Sequence, residues 1–109
     1  MLVVDDEPAV VRALGRLFRR HEVDLRTAGS AAEALRVLVA FTPEVVISDF
    51  KMDGLNGLEL LRIVADRFPG ARRILLSGYA EGVDDPSIMF LTKPYDAEAL
   101  LAIVAKGAA

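Results

Sequence analysis

Residues 45–49 read Val-Val-Ile-Ser-Asp, an apolar run that ends in a hydroxyl and a carboxylate. An apolar run without polar alternation is typical of a strand buried on both faces of a parallel sheet. Four further short apolar runs follow one another along the chain at fairly even intervals, at residues 2–4, 23–25, 74–76 and 88–91. The sequence therefore predicts five strands.

Helical patterns separate these runs. After the first run, apolar side chains recur from Val10 to Phe18 at the spacing of one helical stripe, and Pro8 suits the first turn of that helix. Ser30 and Glu33 have the spacing of a capping box before a second helix, whose apolar positions continue over residues 34–39. Stripes over residues 58–68 and 99–104 predict two more helices, the last of them capped by Asp96.

The fourth crossover differs from the others. Residues 78–87 read Gly-Tyr-Ala-Glu-Gly-Val-Asp-Asp-Pro-Ser and carry no apolar stripe. Because a parallel crossover normally needs about a dozen residues or more, we expect a loop or a single helical turn here. The alternation of strands and helices predicts an α/β fold, a flavodoxin-like doubly wound five-stranded parallel sheet of order 2-1-3-4-5, with the fourth helix shortened or missing.

Composition excludes several classes of protein. The 109 residues are 53% hydrophobic and 27% charged, which is typical of one globular domain and not of a disordered chain. No apolar run reaches the roughly 18 residues of a membrane span, and the start of the sequence does not resemble a signal peptide. The absence of cysteine excludes a thiolate metal site and favours the cytoplasm. A net charge of −3 gives no reason to expect nucleic-acid binding by this domain alone.

Polar side chains stand where the predicted strands end. Asp5 and Asp6 follow the first strand, Asp49 ends the third, Ser77 ends the fourth and Lys93 follows the fifth. In a sheet of this order, strands one and three flank the switch point where ligands bind. We therefore expect the three aspartates to share one shallow pocket, with the hydroxyl and the lysine beside it.

Three carboxylates in one pocket repel each other, and a divalent cation would compensate their charge. A set of oxygen ligands without His or Cys favours a hard cation, and an open cluster suits Mg²⁺ better than a caged Ca²⁺. A carboxylate can act as a nucleophile and form an acyl phosphate. The hypothesis is that Asp49 attacks a phosphoryl group, that Mg²⁺ and Lys93 neutralise its charge, and that Ser77 donates a hydrogen bond to it.

Four motifs in chain order resemble the receiver domains of bacterial two-component response regulators, over essentially the whole chain. They are Leu-Val-Val-Asp-Asp-Glu-Pro at 2–8, Val-Val-Ile-Ser-Asp-Phe-Lys-Met-Asp-Gly-Leu-Asn-Gly at 45–57, Leu-Leu-Ser-Gly-Tyr at 75–79 and Phe-Leu-Thr-Lys-Pro at 90–94. The resemblance implies a signalling switch that takes a phosphoryl group from a histidine kinase or a phosphotransfer protein, with Mg²⁺ as cofactor.

The resemblance also implies a metal set by position. Asp49 is then the phosphoacceptor and a metal ligand. Asp6 ligates Mg²⁺ directly, Asp5 acts through a water molecule, and the backbone carbonyl of Lys51 is a further ligand. Taken alone, without Asp49 and Lys93, Asp5 and Asp6 would favour a role as the cap of the following helix.

Further roles follow from the same resemblance. Ser77 is the switch hydroxyl, Lys93 pairs with the phosphoryl group, and Gly57 opens the third helix. Phe90 takes the place of the switch aromatic, although a plain core position is an equal alternative for this residue.

Three departures from the family pattern bear on function. Asp53 stands where the family usually has proline, and Lys51 and Tyr79 occupy positions that tune dephosphorylation in the family. The fourth helix belongs to the face that the family usually uses for output and dimerisation. Its shortening therefore leaves open how the phosphorylated state is recognised and whether the domain forms a homodimer.

Other functions remain as alternatives. A receiver-like protein-interaction module with vestigial phosphorylation would fit the shortened crossover. An aspartyl-nucleophile phosphatase is disfavoured, because such enzymes usually carry a second acid where this chain has Lys51. We therefore expect a protein that is not an enzyme beyond its own phosphorylation and dephosphorylation, either alone or as part of a larger regulator or hybrid kinase.

Overall fold

The computed structural model describes residues 1–21, 24–52, 54–77, 85–92 and 97–106. Within these ranges the elements are β1 (Leu2–Val4), α1 (Pro8–Arg19), β2 (Arg26–Ala28), α2 (Ala31–Val37), β3 (Val45–Asp49), α3 (Gly57–Arg67), β4 (Arg72–Ser77), β5 (Ile88–Thr92) and α4 (Ala97–Lys106). All strand pairs are parallel, and the sheet order is β2-β1-β3-β4-β5. The predicted doubly wound sheet is confirmed. None of the helices in the described ranges has the length and apolarity needed to cross a membrane.

The strand β3 is buried along its whole length, as its uninterrupted apolar run predicts. Its side chains alternate between two apolar clusters, one on each face of the sheet. Val46 packs in the cluster that includes Leu61 of α3, and Ile47 packs in the one that includes Phe18 of α1 and Leu100 of α4. The helices therefore cover both faces and leave the ends of the strands free for chemistry.

Side-chain hydrogen bonds cap the first turns of α2 and α3. Asn56 and Glu59 form a complete capping box at α3. At α2 the predicted box is half formed, because Ser30 Oγ accepts from the backbone N–H of Glu33 while the Glu33 side chain accepts from the N–H of Gly29. The residue before α1 is Glu7, which makes no side-chain cap, so neither Asp5 nor Asp6 is the N-cap of this helix.

Two details differ from the sequence-based expectation. The second strand is Arg26–Ala28 and not residues 23–25. This is an edge strand in which Arg26 and Thr27 are exposed, so its apolar pattern does not mark it. Val39 does not extend the apolar face of α2, because that helix ends at Val37 and the valine side chain is 85% exposed.

The fourth crossover is short, as predicted. Between Ser77 and Ile88 the chain has ten residues, 78–87, whereas three helical turns alone take about 11 residues. Residues 78–84 lie outside the described ranges. At the start of β5, the N–H of Ile88 donates to the carbonyl of Asp85 at 3.0 Å. The hydrogen bonds that Ser87 donates to the Asp85 carboxylate lower the pKa of that group.

Candidate functional site at the carboxyl edge of the sheet

The pairing of β1 with β3 brings two aspartates to the same edge of the sheet. Val4 is in register with Ser48, so the next residues along each strand, Asp5 and Asp49, emerge side by side. The N–H of Asp5 donates to the carbonyl of Ala28 at 3.1 Å, which keeps this residue aligned with the edge strand β2. The backbone positions of both aspartates are thus set by the sheet itself.

Three carboxylates converge at this edge. One oxygen from each of Asp5, Asp6 and Asp49 lies within 4.8 Å of the other two. Asp5 and Asp49 are 2% and 7% exposed, and Asp6 is exposed. Within the described part of the chain, this is the single such group of three acidic, histidine or cysteine side chains. The donor set is made of oxygen alone and is open on one side, which fits a hard divalent cation such as Mg²⁺.

Backbone hydrogen bonds fix the two buried members of the cluster. One oxygen of Asp5 accepts from the N–H of Glu7 at 2.9 Å. Asp49 is the last residue of β3, and the N–H of the following Phe50 donates to the carbonyl of Leu76 at 2.8 Å. These bonds hold the Asp5 carboxylate and the backbone on the carboxyl side of Asp49.

Ser77 lies on the other side of Asp49 from Asp5. It is buried, ends β4, and follows Leu76, the residue in register with Asp49. Its own partner in register is Thr92, the last residue of β5. Lys93 is the next residue in the chain, but it lies outside the described residues, as do Asp53 and Tyr79. The roles expected of these three side chains stay predictions.

A backbone hydrogen bond joins the two ends of the loop that follows Asp49. The N–H of Gly57 donates to the carbonyl of Phe50 at 2.8 Å, and the Met52 side chain is buried in the core beneath the loop. The Lys51 side chain is exposed. Gly54 has a φ of +79°, a left-handed conformation that glycine adopts without strain.

Phe90 is half-buried on β5, where it pairs with Leu75. It packs against the same apolar cluster as Leu61 of α3. Phe90 therefore contacts the core. The switch role that the resemblance implies for it stays a prediction.

A cavity of about 250 Å³ opens beside the cluster. Asp5 and Asp6 form part of its wall, and Arg12 of α1, Thr27 of β2 and Glu33 of α2 also line it. Asp6, which is exposed, places the cluster at the solvent-facing edge of this cavity.

Sequence reasoning missed one buried polar side chain at the site. Ser48 is fully buried in β3, and its Oγ donates to the backbone carbonyl of Asp49 at 2.9 Å. The available signal was a hydroxyl inside an otherwise apolar strand, directly before the predicted acceptor.

A model of the response regulator receiver domain family matches residues 1–105. The chain belongs to this family. The receiver domain is 35% identical over 106 residues to the transcriptional regulatory protein GlrR of Escherichia coli, a match that covers 92% of this chain and 24% of that protein. It is 30% identical to the photosynthetic apparatus regulatory protein RegA of Cereibacter sphaeroides, with 98% of this chain and 62% of that protein covered.

A similar solved structure is that of the response regulator protein TrrA from Thermotoga maritima in complex with Mg²⁺ and BeF. It superposes with a TM-score of 0.86 at 29% identity, over 97% of this receiver domain and 96% of that chain. The receiver domain thus spans about a quarter of GlrR but nearly all of TrrA.

Proposed function

We propose that this receiver domain is a phosphoryl-accepting switch in which Asp49 takes a phosphoryl group from a histidine kinase or a phosphotransfer protein. The observation that carries the proposal is the convergence of Asp5, Asp6 and Asp49 within 4.8 Å at the carboxyl edge of the sheet. Family membership over residues 1–105 supports it, because receiver domains are the phosphoaccepting components of two-component systems.

The proposed step is an in-line displacement. A carboxylate oxygen of Asp49 attacks the phosphorus atom, and the bond from phosphorus to the imidazole nitrogen of the donor histidine breaks. The electron pair returns to that nitrogen, which takes up a proton, and Asp49 becomes an acyl phosphate. In this proposal Ser77 donates a hydrogen bond to a phosphoryl oxygen, and the ammonium group of Lys93 pairs with another.

The proposed metal ligands are Asp6 and Asp49 directly, Asp5 through a water molecule, and the backbone carbonyl of Lys51. Bound there, Mg²⁺ would supply positive charge against the phosphoryl oxygens and the carboxylates. The buried positions of Asp5 and Asp49 support this assignment, because rigid ligands lose little freedom when they bind an ion.

The proposal also covers the domain organisation, the cellular location and the partners of the protein. We propose that residues 1–109 form one domain, that it is not an enzyme beyond turnover of its own phosphoryl group, and that it works in the cytoplasm with its donor. The matched region covers 24% of GlrR and 62% of RegA, so both regulatory proteins extend beyond it. We propose that an output domain, in the same or a separate chain, reads the switch.

A second candidate is a protein-interaction module whose phosphorylation is vestigial. The ten-residue connection between β4 and β5 favours it, because this connection forms part of the face that the family usually offers to partners or to a second copy. Partner affinity measured with and without beryllofluoride separates the two functions. Equal affinities would support the module, and a changed affinity supports the switch.

The direct test is incubation with Mg²⁺ and a small phosphodonor such as phosphoramidate, followed by intact-protein mass spectrometry. We expect the mass to increase by one phosphoryl group, and we expect chelation of Mg²⁺ to prevent it. The variant Asp49→Ala should show no increase, and Asp66→Asn, at an exposed position on α3, should behave as the wild type. An unmodified wild type, or equal labelling of Asp49→Ala, would refute the proposal.

A further inference from the structure

The hydroxyl of Ser48 is an unusual group for its surroundings. Its neighbours in register are Val4 on β1 and Leu75 on β4, and all three residues are almost completely buried. A hydroxyl in apolar surroundings is costly unless it makes a hydrogen bond. Ser48 meets that requirement by donating to the backbone carbonyl oxygen of Asp49 at 2.9 Å.

The same carbonyl oxygen is contacted from α3. A Cβ atom added to Gly57 would lie 2.0 Å from the Asp49 carbonyl oxygen and 2.8 Å from its carbon. The first residue of α3 therefore packs directly on the peptide that follows the acceptor, and its N–H holds the next carbonyl, that of Phe50, at 2.8 Å. The Asp49 peptide is thus fixed between a side chain of its own strand and the start of a helix.

The orientation of this peptide has consequences for the proposed metal set. Rotation of the Asp49 carbonyl changes the ψ angle of Asp49, which sets the direction of the chain through Phe50 to Lys51. The Asp49 carboxylate and the Lys51 carbonyl are both proposed ligands of one ion, so their relative placement depends on that angle.

We propose that Ser48 is a positioning residue for phosphoryl transfer, which holds the Asp49 peptide so that the carboxylate and the following turn face one metal ion. This inference rests on the proposed function of Asp49. Ser48 itself touches neither the ion nor the phosphoryl group, and it acts through the backbone of its neighbour.

A purely structural role for Ser48 has a matched control on the same strand. Val46 is also fully buried. It lies two residues before Ser48 and therefore on the same face of the strand. The variant Val46→Ala should lose more stability than Ser48→Ala, because it removes two buried methyl groups. If Ser48 contributed only to stability, the valine variant would be the more impaired of the two in phosphorylation.

The experiment compares wild type, Ser48→Ala, Ser48→Thr and Val46→Ala in the full chain. The phosphorylation rate constant is measured at saturating phosphoramidate and at limiting donor, the Mg²⁺ affinity by amide NMR, and the folded fraction by circular dichroism. For Ser48→Ala we expect the rate constant at saturating donor to fall about fivefold and Mg²⁺ binding to weaken, because one hydrogen bond is lost. Ser48→Thr, which keeps the hydroxyl, should restore both, and folded Val46→Ala should match the wild type.

Several results would overturn the inference. An unchanged rate and Mg²⁺ affinity in Ser48→Ala would do so, as would an equal loss in Val46→Ala or a failure of Ser48→Thr to restore either quantity. Where Ser48→Ala does not fold, Ser48→Cys keeps the shape with a much weaker donor and should show the same loss. Absence of phosphorylation in the wild type would instead refute the proposed function, and the role of Ser48 with it.

Discussion

Asp6 is the exposed member of the acidic cluster, whereas Asp5 and Asp49 are buried. Two negative charges at the upper limit of 4.8 Å would repel each other by on the order of 3 kcal/mol at an effective dielectric constant of about 20. Solvent screens this repulsion most at Asp6. A cation bound among the three side chains would therefore be attracted by all of them and would relieve this repulsion.

Removal of the Asp6 charge should separate stability from metal binding. With Mg²⁺ removed by a chelator, we expect Asp6→Asn to unfold at a slightly higher temperature than the wild type, because the repulsion among the three carboxylates is reduced. At a Mg²⁺ concentration 100 times its dissociation constant, the wild type should gain about 2.7 kcal/mol of unfolding free energy. We expect at least tenfold weaker binding in the variant, and so a gain of about 1.4 kcal/mol or less at the same concentration.

Urea denaturation with and without Mg²⁺ measures both effects. Asp66→Asn removes a charge from the exposed surface of α3 and is the matched control. An Asp6→Asn variant that gains as much stability from Mg²⁺ as the wild type would show that Asp6 is not a ligand.

At the scale of elements, the start of α3 packs directly against the end of β3. The capping box of Asn56 and Glu59 fixes where the helix begins, and the absence of a side chain at Gly57 lets that first turn approach the Asp49 carbonyl. The acceptor is therefore held by the packing of a helix as well as by strand pairing. A displacement of this helix end would move the acceptor.

The variant Gly57→Ala tests this contact. Its Cβ would overlap the Asp49 backbone, which cannot move aside as the end of a flexible side chain can. We expect a loss of about 1–3 kcal/mol in unfolding free energy from the forced shift, together with slower phosphorylation. Gly70→Ala is the control, because nothing lies within 4 Å of the position of its Cβ. Chemical denaturation that gave equal stability for both variants would contradict the close approach.

For the molecule as a whole, the sheet separates two apolar clusters, one on each of its faces. Leu61 of α3 lies in one cluster and Leu14 of α1 in the other. Because β1, β3 and β4 contribute side chains to both clusters, neither cluster can form fully without the sheet. We expect the two faces to unfold together as one domain.

Leucine truncation on each face measures this cooperativity. Leu61→Ala and Leu14→Ala should each cost about 2–5 kcal/mol, and each variant should retain a single denaturation transition with the wild-type slope. Val39→Ala, at an exposed position, should change stability by less than about 0.5 kcal/mol. Two separable transitions in either leucine variant would show that the chain is not one cooperative domain.

Most of the architecture was predictable from local patterns. The apolar runs identified four of the five strands within a residue or two, since buried strands must be apolar on both faces. The second strand was misplaced because Arg26 and Thr27 are exposed at the sheet edge. The same reasoning extended α2 too far, because an apolar residue such as Val39 can continue a helical pattern beyond the point where the helix ends.

The amino-acid order alone was enough to place Asp5, Asp6 and Asp49 at strand ends, because strands and their order follow from periodicity and crossover rules. It was not enough to show that Ser48 holds the Asp49 carbonyl or that Gly57 packs against it. These contacts join a strand to the start of a helix across a folded loop. Their distances depend on how β3 and α3 pack together, which no local pattern of residues encodes.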